Sequence, residues 1–145
     1  MKSFVKFSVG AVVAALTVAG AGRLAGLDRA EAAAPDGLTI SADQVQRGEY
    51  DYVDNCVMCH GYNLNDGEFG PPIKGSFFQK KWAGKTVGEL FINTVMTMPQ
   101  SNPDSLDPGM YADIMAYVFA QNGVKAGDKD MPSDAAVLNK IPLPW

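Results

Sequence analysis

An all-α fold of three main helices joined by long loops is predicted for this 145-residue chain. Three observations predict it. The segments Ser41-Ala42-Asp43-Gln44 and Thr86-Val87-Gly88-Glu89 have the form of helix capping boxes. Near the end of the chain Tyr111, Ile114, Met115, Val118 and Phe119 recur at the spacing of one buried helix face. No stretch shows the two-residue alternation of a half-buried strand.

The chain opens on Lys2 and Lys6, followed by a small, apolar run from Ser8 to Gly22. Ala30-Glu31-Ala32 and Ala32-Ala33-Ala34 each offer a small-residue cleavage site near 32–34, so residues 1–32 are expected to be a signal peptide and the mature protein to work in the periplasm. Arg23, Asp28 and Arg29 lengthen the stretch before the alanines, which leaves an uncleaved membrane anchor as the alternative, although the run is short for a span. Residues 33–40 read as a Pro- and Gly-containing lead-in, and residues 41–145 as one domain with a C-terminal extension from about 124.

The first helix is expected from about Ala42 to Cys56, with Val45, Gly48, Tyr52 and Cys56 near one face and Gly48 giving another helix room to approach. Residues 61–84 are rich in Gly, Pro, Asn and Asp and read as a loop wrapped around something, unusually long unless functional. The second helix runs from Val87 to about Val95. Met96-Thr97-Met98-Pro99 ends it, because the residue before a proline avoids helical geometry. The third starts with Asp107 as cap and Pro108 at its first position, and it stops at Asn122-Gly123.

Cleavage after Ala32 would remove Lys2, Lys6, Arg23 and Arg29 together with Asp28 and Glu31, leaving eight basic against fourteen acidic side chains. That balance argues against nucleic acid or an anionic membrane surface as partner. The remaining stretch of about 110 residues makes one domain whose core is modest unless something large fills it.

Residues 56–60 read Cys-Val-Met-Cys-His and hold both cysteines and the only histidine of the chain. Cysteines three apart on a helical turn point the same way. Cys56 and Cys59 can therefore form thioethers to the two vinyl groups of one haem while His60 presents its imidazole to the iron. A structural disulfide, a redox dithiol and half of a zinc site are the competing readings. Zinc would need two further Cys or His ligands, which the chain lacks. A thioredoxin-like dithiol expects a strand-helix context and requires no histidine after it. One covalently attached haem c per chain is the expectation, since there is no second attachment motif.

A single histidine excludes bis-histidine ligation within the chain, so methionine leads for the sixth position. Beyond the signal stand Met58, Met96, Met98, Met110, Met115 and Met131. Met58 lies inside the attachment loop, Met110 and Met115 in the last helix and Met131 in the tail. Met98 is favoured over Met96 because Pro99 sets an extended backbone beside it; Met96 is assigned to packing.

Cys56-Val57-Met58-Cys59-His60-Gly61, Gly70-Pro71-Pro72-Ile73-Lys74-Gly75, Thr97-Met98-Pro99 and Tyr111-Ala112-Asp113-Ile114-Met115-Ala116-Tyr117 resemble a class I c-type cytochrome over about Ser41 to Ile141. The chain resembles small bacterial periplasmic monohaem cytochromes and the cytochrome domains associated with quinoprotein alcohol dehydrogenases. The resemblance implies a cytochrome c fold with His60 and Met98 as axial ligands. It implies that Pro71 lends its carbonyl to the His60 ring N–H, and that Trp82 either reaches a haem propionate or packs. It also implies a one-electron carrier, not an enzyme, taking electrons from a periplasmic quinoprotein dehydrogenase and passing them toward a terminal oxidase. A haem-based gas sensor or peroxidase-like protein with an open distal site is the alternative. Lys74, Lys80, Lys81 and Lys85 form a basic cluster that reads either as a docking patch for a redox partner or as an ordinary solvated loop.

Overall fold

Ser41 opens helix α1 (Ala42–Asn55) by accepting a hydrogen bond from the Gln44 N–H at 3.0 Å. This computed structural model describes residues 37–145, so the signal peptide expected over 1–32, its expected cleavage site and the first part of the lead-in lie outside the described residues. Only half of the first capping box forms. The Gln44 side chain does not turn back to the cap but binds the tail, donating to the Met131 carbonyl at 2.9 Å and accepting from the Met131 N–H at 2.7 Å. A buried amide needs both kinds of partner, and the tail supplies them together.

A single turn, α2 (Val57–His60), follows α1 after Cys56. Helix α3 (Ser76–Trp82) then corrects the expectation of an unstructured loop over 61–84. It is short, and what holds it is the pair Phe78 and Trp82, four residues apart and both buried. Fewer than two full turns leave too little sequence for a period to show.

Helix α4 (Val87–Thr97) has the complete capping box, Thr86 accepting from the Glu89 N–H and Glu89 accepting from the Thr86 N–H. It runs two residues past the expected end at Val95, because only Met98, directly before Pro99, is driven to an extended backbone (φ −130°, ψ 149°). The Thr94 and Thr97 hydroxyls donate to the carbonyls of Leu90 and Asn93, four residues back, within its last turns.

Helix α5 (Pro108–Gln121) carries the cap and proline anticipated for it, with Asp107 accepting from the Gly109 N–H at 2.8 Å. Its predicted stripe is buried, and so are Ala112, Ala116 and Tyr117 beside it, because both α1 and α4 pack against this helix. The α1–α5 crossing is close. A Cβ on Gly48 would fall 1.8 Å from the Asp113 carbonyl oxygen, so only glycine fits there. The Tyr52 and Tyr117 rings meet one turn along, with centroids 5.4 Å apart. At the rim Arg47 forms a bidentate pair with Asp113 and reaches Asp130.

The extension after residue 124 is part of the core. The Gly127 N–H donates to the Ile40 carbonyl, the Val87 N–H to that of Ile141 and the Leu143 N–H to that of Lys85. Between these ties the single turn α6 (Ala135–Leu138) buries Leu138, with Ile141 and Leu143 buried behind it. The tail thus closes the starts of both α1 and α4. No strand occurs among the described residues, only two isolated bridges at Ser41–Gly127 and Thr86–Pro142. The fold is all-α.

Candidate haem-binding site

The Cys-x-x-Cys-His run sits on one tight turn. The amides of Cys59 and His60 both donate to the Cys56 carbonyl, at 3.1 and 3.0 Å, which brings the two cysteines to successive positions of one turn. Both are free and half-buried. The Cys56 thiol is pushed up to about 12, first by burial and then by the neighbouring Cys59 and Asp51. A redox dithiol needs a stabilised thiolate, so this environment disfavours that chemistry.

His60 is buried, and its ring Nδ1 lies 2.9 Å from the Pro71 carbonyl oxygen. A carbonyl can only accept, so the proton belongs on Nδ1 and the lone pair of Nε2 is left for a metal. The loop from Gly61 to Pro71 is folded back tightly to make this contact. The Gly70 N–H donates to the Cys59 carbonyl at 2.8 Å, and a Cβ on Gly70 would lie 2.6 Å from Nδ1 and 2.7 Å from Cε1 of His60. Tyr52, buried under the turn, donates its phenol to the Gly61 carbonyl at 2.7 Å.

Met98 caps the C-terminus of α4 and is half-buried. Its N–H donates to the Thr94 carbonyl at 2.8 Å, and its own carbonyl accepts from the Tyr111 phenol at 2.7 Å. Met96, two residues earlier on the helix, is 68% exposed. Of the other methionines, Met115 and Met131 are buried in the core, and Met58 is 81% exposed on the attachment turn.

Trp82 is 7% exposed within the core, with the Lys81 ammonium 5.6 Å from its ring centroid. The basic cluster is divided by its contacts. Lys74 donates to the Gln121 side chain at 2.9 Å and Lys85 pairs with Glu89 at 3.5 Å, while Lys80 and Lys81 are exposed on α3.

Two groups that hold the site escaped the sequence. Asn122, read only as a helix stop, donates to the Ile73 carbonyl at 3.0 Å and accepts from the Gly75 N–H at 2.9 Å, pinning the chain just beyond Pro71. Tyr111, read as a core residue and as part of the last-helix motif, holds the Met98 backbone. The available signal was general: a buried tyrosine hydroxyl seeks an acceptor.

The donor set fits a c-type haem. Two free cysteines share one turn with an imidazole whose outer nitrogen is already engaged, and no cluster of three or more Cys, His, Asp or Glu suited to a bare metal ion occurs among the described residues. Large apolar side chains at Met58, Phe69 and Phe77 are exposed in the protein alone, as a chain that packs around a large apolar group would leave them.

Residues 43–118 match the family described as Cytochrome C oxidase, cbb3-type, subunit III. No curated protein and no solved structure matches the chain. The match spans more than half of the sequence and contains the attachment turn, Pro71, Met98 and the α1–α5 crossing. The chain belongs to this family and is a class I c-type cytochrome, a haem-based electron-transfer protein that carries covalently bound haem c.

Proposed function

We propose that the protein is a periplasmic one-electron carrier whose haem iron is ligated by His60 and Met98 and which passes electrons from a periplasmic dehydrogenase, of quinoprotein type, toward a terminal oxidase. Bound haem c supplies the ferric/ferrous couple. The chain's part is to hold the ring through Cys56 and Cys59 and to orient the His60 imidazole through the Pro71 carbonyl. Its further part is to offer a thioether, which favours ferrous iron and raises the potential. His60 and Met98 would hold the iron from both sides in either oxidation state and so would leave oxygen and peroxide no open site, which separates a carrier from a sensor or peroxidase.

The observation that carries this reading is the anchoring of Met98 by its N–H to α4 and by its carbonyl to α5, with Met96 turned to solvent. The direction of electron flow draws support from the oxidase in the family's description. The donor rests on the sequence likeness alone, and the compartment on the signal-like start of the chain. The burial of Trp82 supports its packing role over contact with a propionate. The mature protein has no membrane span in this proposal unless the signal is retained, and none of the described helices is long and apolar enough to cross a membrane.

Spectra of the matured protein test the ligation. The ferric wild type is expected to show the near-infrared sulfur-to-iron band and the ferrous form to resist carbon monoxide. Met98→Ala is expected to lose the band and bind carbon monoxide readily, with Met96→Ala unchanged. A band that survives in Met98→Ala would overturn the assignment.

A further inference from the structure

We propose that Tyr111 is a positioning residue for Met98, its phenol O–H holding the distal loop so that the thioether stays directed at the iron. The inference rests on the His60/Met98 reading above and adds to it the element that keeps the methionine in place. Tyr111 stands in the first turn of α5 and is 2% exposed, with its ring packed edge-on to Phe91 of α4 at 6.5 Å between centroids. The ring contact joins the two helices. The hydroxyl does something separate: it reaches past the helix to the Met98 carbonyl, 2.7 Å away and 13 residues back in the chain.

That carbonyl lies at the C-terminal end of α4, where the extended Met98 backbone takes the chain out of helical geometry and the Asn102 N–H, four residues on, is bonded to the Pro99 carbonyl instead. Without Tyr111 the Met98 peptide would be held from one side only, by the 2.8 Å bond from its N–H to the Thr94 carbonyl. The rest of the loop is secured elsewhere, with the Asp104 N–H on the Val95 carbonyl at 2.9 Å and the Asn102 N–H on the Pro99 carbonyl at 2.9 Å. The phenol is therefore the contact from α5 to the backbone of the candidate ligand itself. Removing it leaves the ring packing and these loop ties intact but frees the peptide to swing, so the thioether leaves the iron more often.

The test uses the holoprotein and a readout that global stability does not set. Cyanide binding to the ferric form requires the methionine to depart first, so its association rate reports that departure. Tyr111→Phe keeps the ring and removes only the hydroxyl; loss of one hydrogen bond of ordinary strength should speed cyanide association about fivefold, without loss of the folded haem spectrum. Gln44→Ala, which breaks the α1–tail bonds far along the chain from Met98, serves as the stability control and is expected to bind cyanide at the wild-type rate. A wild-type rate in Tyr111→Phe, or an equal acceleration in Gln44→Ala, would overturn the positioning role. Met98→Ala separates the two levels. If it keeps the sulfur-to-iron band, the ligand assignment falls and this role with it. If it loses the band while Tyr111→Phe behaves as wild type, only the positioning role falls.

Discussion

Gly70 is the residue on which the proximal geometry turns. The amide at Gly70 is bonded to the Cys59 carbonyl and the next residue gives its carbonyl to His60, so the backbone lies against the Nδ1–Cε1 side of the imidazole with no space for a side chain. Gly70→Ala is expected to push the ring away, lengthen the bond to Pro71 and cost about 1–3 kcal/mol, the usual range for overpacking a tight site. Guanidinium unfolding of the holoprotein would measure the loss, and a raised midpoint potential should accompany it, because an imidazole without its carbonyl acceptor is a weaker donor and stabilises ferric iron less. His60, Cys56 and Cys59 were legible in the sequence because their chemistry is local to five residues. The demand on Gly70 was not, because the clash arises only when a loop ten residues downstream folds back onto the ring.

Helix ends were the most legible elements. The Thr86–Glu89 box forms in full, and Thr86→Ala is expected to cost about 1 kcal/mol as the Glu89 N–H loses its acceptor. The same box predicts a pH effect. The Thr86 N–H, and after it the nearby Lys85, hold the Glu89 carboxyl below its ordinary value. A depressed carboxylate contributes stability above its unfolded-state value, about 4.3, and the contribution fades as pH falls through the lower folded-state value. Glu89→Gln should remove this pH dependence: its thermal midpoint is expected slightly below wild type at neutral pH and to converge with it in acid, the gap being small because the group is solvent-exposed. The Ser41–Gln44 box looked the same on paper, yet Gln44 serves the tail, because a side chain that becomes buried answers to whichever partner is buried with it. Helix α3 was missed for the related reason that its two inward residues, Phe78 and Trp82, are anchored by packing and not by a long periodic pattern.

Across the molecule the charge is uneven. The chain is acidic, with a formal net charge of −4, while Lys80 and Lys81 stand exposed together on α3. Lys74 and Lys85, which the sequence grouped with them, are occupied by Gln121 and Glu89. A docking patch for a redox partner would therefore centre on Lys80 and Lys81. Lys80→Glu with Lys81→Glu is expected to slow electron exchange with an acidic partner about tenfold at low ionic strength, and the difference should close as salt screens the approach. Stopped-flow rates over a salt series would check it; equal rates at low salt would leave the pair as plain solvated surface.

Much of this protein follows from neighbouring residues alone. The attachment turn, the starts and stops of the three main helices and the presence of a single haem all depend on contacts within about four positions, where spacing dictates geometry. Tertiary structure decided which methionine is anchored and which is turned to solvent, that Trp82 is buried, that Gln44 leaves its cap, and that the extension is core and not appendage. These outcomes rest on core packing and on hydrogen bonds between residues 13 to 87 positions apart. Such bonds exist only after α1, α4 and α5 have packed, and no local pattern encodes which buried donor will meet which acceptor.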